Sequence, residues 1–224
     1  MRKKLPWAAA LATALAIAVP ARAATVEVRE CDDHDPKCAT ISVRGEIKEG
    51  DGDRFLEATK GVQKAVVTFH SPGGEVTAGL TIGKRIKEAG WSTWVGDGSI
   101  CVSVCAAAWV AGKVRWASTN SGIGFHSFYL VDGRGKNLGV SSVHNALVGA
   151  FYGTLGLSDR AIIYMTTAAP TKMRWFTFDD ADRIGLKVSK IEKPKTESVA
   201  DSKPVKTEPV APWTAPAPYN VFQR

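Results

Sequence analysis

Between Thr40 and Ile191 the chain alternates two kinds of apolar pattern, and that alternation leaves few folds open. Ala65-Val-Val-Thr-Phe69 is a short continuous apolar run, the mark of a strand buried on both faces. Val76 to Ala89 follows with Leu80, Ile82 and Ile86 spaced for one side of a helix, and Gly90 ends it. The same alternation continues. Strands are predicted at Thr25–Arg29, Thr40–Arg44, Ser92–Val95, Val114–Ala117, Ile123–Phe125 and Leu186–Ile191. Helices are predicted at Asp53–Lys60, Ser103–Ala111, Ser142–Leu155, Ser158–Thr166 and Asp179–Ile184, the first with Asp53 near its N-cap. Strands joined by crossover helices predict an α/β fold with a mainly parallel sheet.

The two ends differ from this middle. Arg2, Lys3 and Lys4 precede an apolar stretch from Leu5 to Val19, and Pro20 and Ala21-Arg22-Ala23 follow it. These are the three parts of a signal peptide in order, with cleavage expected after Ala23. The apolar stretch is shorter than the roughly 20 residues a spanning helix needs, so no transmembrane anchor is expected after cleavage. Removing residues 1–23 lowers the formal charge from +7 to +3. No basic run with interleaved aromatics remains, so no nucleic-acid partner is expected. From Ile191 the chain turns to Lys, Pro, Glu, Thr and Ser, a composition that buries little apolar surface. The expected organisation is a signal peptide at 1–23, a single α/β domain at 24–190 and a disordered tail at 191–224, in a protein destined for the periplasm or secretion.

Export bears on the cysteines. Cys31, Cys38, Cys101 and Cys105 are even in number, and an oxidising compartment favours disulfides. Four cysteines allow three pairings; the local one, Cys31 with Cys38 and Cys101 with Cys105, is preferred. Cys31, His34 and Cys38 lack a fourth ligand nearby, so no metal site is assigned. A reduced, catalytic Cys101 or Cys105 fits export poorly.

Three features point toward acyl chemistry. Ser71-Pro-Gly-Gly74 ends a predicted buried strand, and paired glycines let backbone N–H groups approach an oxyanion. Ser103 stands where a loop enters a small-residue helix, near N–H groups that favour developing negative charge. Taken alone it reads as a helix N-cap serine. His126 follows a short strand; a neutral imidazole within reach of Ser103 has the chemistry of a general base, although a lone histidine there is more often structural.

In combination these stretches resemble the Clp protease proteolytic subunit and its relatives in the ClpP/crotonase-like superfamily, from about Thr40 to Ile191. Thr68-Phe-His-Ser-Pro-Gly-Gly-Glu-Val-Thr-Ala-Gly79 looks like the family's NSPGG…TAG segment. Ser103 to Gly112 looks like its nucleophile helix, Gly122 to His126 its histidine segment, and Asp179 to Leu186 its closing helix and strand. Signal peptide and flanking cysteines suit an exported bacterial group. The resemblance implies Ser103 as nucleophile, His126 as base, and the backbone N–H groups of Gly74 and Val104 as oxyanion donors. It also implies a homo-oligomer, and no cofactor is expected.

One family feature is missing. The aspartate that orients the histidine aligns with about Met173, and Lys172-Met-Arg-Trp175 holds no acid. Asp179, Asp180 and Asp182 come later and read as surface residues of the closing helix. His144, where some relatives place a base, reads as helical surface. His70 reads as lining the cleft, without a reaction role.

Two functions follow. One is an exported, ATP-independent serine peptidase acting on peptides or unfolded proteins; no phosphate-binding Gly-x-x-x-x-Gly-Lys run is present. The other is a non-catalytic module that holds an extended peptide in the same cleft. A crotonase-type acyl-CoA activity fits the fold but not export.

Overall fold

The computed structural model describes residues 23–31, 38–132 and 136–192. The expected signal peptide up to Arg22 and the expected tail beyond Glu192 lie outside the described residues. Chain order is β1 (Thr25–Glu30), β2 (Cys38–Arg44), α1 (Asp51–Ala58), β3 (Lys64–His70), α2 (Val76–Ala89), β4 (Ser92–Val95), β5 (Ile100–Val102) and α3 (Val104–Val110). It continues with β6 (Arg115–Ser118), β7 (Gly122–Phe125), β8 (Tyr129–Val131), β9 (Asn137–Val140) and α4 (Ser142–Thr154). Then come α5 (Asp159–Thr166), β10 (Arg174–Trp175), α6 (Phe178–Ile184) and β11 (Ser189–Ile191).

The larger sheet runs β1-β2-β3-β4-β6-β11 and is parallel except for β1 at its edge. A smaller sheet, β10-β7-β5, stands beside it, and β8 and β9 form a hairpin. The α/β class with a mainly parallel sheet is therefore present as expected. Val76–Ala89 and Ser92–Val95 match their sequence signals, and Gly90 caps α2 in the left-handed conformation. β5, the β8–β9 hairpin and the two-residue β10 carry no run long enough to register as a periodic signal.

The core lies between the larger sheet and α2 and α3. Ile41, Val43, Val67 and Val95 line it from the strands, and Leu80, Ile82 and Ile86 face it from α2. α3 is buried along its whole length, which explains its Val-Cys-Ala-Ala-Ala-Trp-Val composition. Small side chains let neighbours come close: a Cβ at Gly79 would strike the Val104 side chain. A 13-residue helix such as α4 is too short to span a bilayer. Among the described residues no helix is long and apolar enough to cross a membrane.

α1 begins at Asp51, behind Gly50, and not at Asp53, which lies in the first turn near the cap as expected. One expectation about an acidic residue is corrected. Asp180 is buried and not a surface residue. It forms a capping box with Thr177, accepts a 2.9 Å hydrogen bond from the Tyr164 hydroxyl, and pairs with Arg183. A carboxylate at the start of a helix satisfies free N–H groups, which is why this one tolerates burial.

Candidate active site

The site is built where the two sheets meet. β3 continues past His70, and Ser71 pairs with Cys101 of β5: Ser71 N–H donates to Ile100 (2.8 Å) and Val102 N–H donates to Ser71 (3.2 Å). The buried Ser71 hydroxyl then accepts from Gly73 N–H at 3.1 Å and shapes the turn. Gly73 and Gly74 follow with φ of 91° and 137°, values that side chains rarely tolerate.

Both glycines are also sterically required. A Cβ at Gly73 would lie 2.7 Å from the Val102 carbonyl oxygen and 2.8 Å from Ser103 Cβ. A Cβ at Gly74 would run into the Ile47 carbonyl. Ile47 braces this turn from the other side. Its N–H donates to Gly73 (2.7 Å) and its carbonyl accepts from Glu75 N–H (2.8 Å). That pattern spends the flanking groups and leaves the Gly74 N–H unused. Among the described residues neither Gly74 N–H nor Val104 N–H has a backbone acceptor.

Ser103 sits between β5 and α3 with φ 59° and ψ −128°, and it alone among the described non-glycine residues has positive φ. Such a conformation costs roughly 1–3 kcal/mol and persists only where the surroundings impose it. Here the Ser103 N–H is held by the Gly124 carbonyl (2.9 Å) and its own carbonyl by Ala107 N–H (3.2 Å). The N-cap position is confirmed, yet the Ser103 hydroxyl makes no cap hydrogen bond. Among the described residues Oγ has no hydrogen-bond partner, and the residue is 9% exposed. Ser103 thus stands on a strained strand-to-helix turn.

Both local cysteine pairs are bonded, Cys31 to Cys38 and Cys101 to Cys105. The second bond does not lie along one helix face, as four-residue spacing alone would place it. Cys101 belongs to β5 and Cys105 to α3, so the bond clamps the strand to the helix across Ser103.

His126 follows β7, whose Gly124 pairs with Val102 just ahead of Ser103. Both residues therefore leave the same end of this parallel pair, and no hydrogen bond joins their side chains. His126 is 4% exposed, against the rings of Phe128 and Tyr129. Its Nδ1 lies 2.9 Å from the Ser127 carbonyl. A carbonyl only accepts, so Nδ1 carries the hydrogen and Nε2 keeps its lone pair. Burial lowers the imidazole pKa, and the Ser127 carbonyl offsets this in part.

The sign of the pH dependence follows. Any reaction needing neutral His126 is lost as pH falls through a pKa below the ordinary 6.5, and is complete above it. We expect the serine-labelling rate to be flat from neutral pH upward, with its acid limb below 6.5; a midpoint well above 6.5 would contradict the assignment.

Met173 stands where the family resemblance expects the orienting acid. β10 pairs antiparallel with β7, Arg174 opposite Phe125, so one further step brings Met173 opposite His126. Its sulfur would lie 2.6 Å from a Cβ at Gly124, so the thioether covers the β7 glycine. Asp180, engaged as described, is not a substitute. His144 is corrected from surface to half-buried, its Nδ1 buried without a partner among the described residues. His70 is half-buried beside Ser71 with its pKa lowered by burial and by Arg44.

Sequence alone singles out the Ser71-Pro-Gly-Gly74 turn but not the bond from Gly73 N–H to the Ser71 hydroxyl, the Ile47 brace or the Ser127 carbonyl. The last has no side-chain signature at all. A separate groove of about 560 Å³, lined by Arg160, Tyr164, Arg174, Trp175 and Arg183 among others, shares no residue with this site.

No family model and no curated protein matches the chain. Solved structures do. A serine-to-alanine mutant of the 1510-N membrane-bound stomatin-specific protease matches with TM-score 0.51 at 14% identity, over 66% of this chain and 76% of that one. A lysine-to-alanine mutant of the same protease, in complex with a substrate peptide, matches with TM-score 0.51 at 15% identity, over 66% and 72%. The shared fold is an α/β fold with a mostly parallel sheet and flanking helices. At this identity the likeness is one of fold alone.

Proposed function

We propose that the protein is an exported, ATP-independent serine peptidase acting on peptides or unfolded segments. Ser103 is the nucleophile and His126 the general base. The Gly74 and Val104 N–H groups receive the oxyanion. The observation that carries this reading is the strained Ser103, its hydroxyl unengaged beside a double-glycine turn with an unused N–H.

In the reaction, Ser103 Oγ attacks the scissile carbonyl while His126 Nε2 takes its proton. The oxygen turns toward Gly74 and Val104, and His126 returns the proton to the leaving amine. The Ser127 carbonyl holds the tautomer but adds no negative charge, so the imidazolium is stabilised less than in a full triad. The Ser103–His126 contact closes with substrate, as loose resting geometry often does. Substrate is an extended peptide lying along the glycine turn. The closed Cys101–Cys105 bond across Ser103 supports an oxidising compartment.

Met173, where a carboxylate would sit, supports a second reading: a peptide-binding module without turnover. Incubating the mature protein with an unstructured fluorogenic peptide, without ATP, separates the two. Cleavage blocked by a fluorophosphonate supports the peptidase. Saturable binding without cleavage supports the module. Met173→Asp adds a further expected outcome: kcat/KM rises by about one to two decades, and the acid limb moves up, because a carboxylate beside an imidazolium favours it. An unchanged rate would mean that position 173 does not reach His126.

A further inference from the structure

Asp51 is a buried charge that the proposed reaction does not use. It is 0% exposed at the first position of α1. Its Oδ2 accepts the Lys48 N–H (2.6 Å) and the Ala24 N–H (3.2 Å). Its Oδ1 pairs with the half-exposed Arg54 guanidinium. A fully buried carboxylate whose one cationic partner is half in water and whose other donors are neutral N–H groups gains from a second, buried charge.

Ala24 is the residue that follows the expected cleavage point. Hydrolysis of the Ala23–Ala24 bond leaves the new carboxylate on the released segment and a protonated amine on Ala24. The nitrogen already 3.2 Å from Asp51 thereby changes from a single neutral donor to an ammonium with three. Ala24 is itself buried, so little water competes for that charge.

We infer that Asp51 is the receptor for the α-ammonium group created at Ala24 by removal of the signal peptide. This inference rests on cleavage after Ala23. Its consequence reaches the site through three backbone links. Asp51 holds Lys48 N–H; Ile47, next to Lys48, donates to Gly73 and accepts from Glu75. The chain segment that Asp51 steadies is thus the one bracing the Gly73–Gly74 turn. Export processing completes that brace, so the precursor carries a looser site than the mature protein.

The test compares full-length mature chains released from a cleavable fusion, one with a free Ala24 amine and one Nα-acetylated. Acetylation keeps an N–H at the same place but removes its charge. The free form is expected to melt roughly 5–10 °C higher, the scale for completing a buried ion pair in a domain of this size. In Asp51→Asn the two forms should melt together. Equal melting of the two wild-type forms would overturn the inference, and that comparison stands even if Asp51→Asn fails to fold. N-terminal sequencing of the exported protein that begins elsewhere than Ala24 would overturn it independently. Because the readout is melting, a protein that never reacts at Ser103 yet shows the difference keeps this inference and loses only the peptidase.

Discussion

Ser103→Ala and His126→Ala are each expected to lower peptide hydrolysis by about three decades or more, with the double variant no slower than either single one. The reason is that in the proposed reaction the two side chains act as one unit. Without His126 the Ser103 hydroxyl keeps its proton, and without Ser103 the imidazole has no nucleophile to activate. What remains under the proposal is the pair of free N–H groups of Gly74 and Val104, and oxyanion donors of that kind account for residual catalysis in serine hydrolases. Replacing the triad acid by an amide in a full triad costs about four decades, largely by selecting the wrong tautomer. Here the Ser127 carbonyl selects the right one. The wild type should therefore lose only the charge stabilisation, and measurable turnover should survive for the variants to remove. Steady-state kinetics on one fluorogenic peptide decide it. Single variants that multiply in effect would mean the two residues act separately.

Gly74→Ala is expected to destabilise the fold by roughly 3–5 kcal/mol and to abolish Ser103 reactivity in whatever fraction stays folded. Two causes add. The residue sits at φ 137°, and a Cβ there would collide with the Ile47 carbonyl, which already accepts from Glu75 N–H. Backbone on both sides leaves no flexible side chain to yield. Gly98→Ala is the control. Gly98 also has positive φ, at 65°, but nothing lies within 4 Å of its Cβ position, so only the conformational cost of about 1–2 kcal/mol applies. Urea denaturation of the two variants measures the difference. Equal losses would mean the Ile47 brace is softer than its hydrogen bonds imply.

The sequence was most legible where one pattern sufficed. Continuous apolar strands and the spacing of Leu80, Ile82 and Ile86 reported the α/β layers, because burial on two faces or one leaves a periodic trace. The pieces of the site were visible for a related reason. Double glycine and a serine at a loop–helix junction are residue types chosen by backbone demand, and the demand appears as φ of 91°, 137° and 59°. The groups that hold those pieces were not legible. Ile47 acts through its N–H and carbonyl, and Ser127 through its carbonyl, which any residue would provide. Asp51 and Asp180 look like ordinary surface acids in sequence, because their burial depends on where a helix starts and what packs over it. Met173 directly precedes a strand that is two residues long, too short for any pattern.

Covalent capture tests the central claim most directly. Folded mature protein is incubated with a fluorophosphonate, its intact mass is recorded, and the adduct is mapped by proteolysis. One adduct is expected, on Ser103, absent from Ser103→Ala and retained in Ser142→Ala. A folded protein that takes up no adduct across the pH range, or carries it on another serine, would contradict the assignment of Ser103 as the nucleophile.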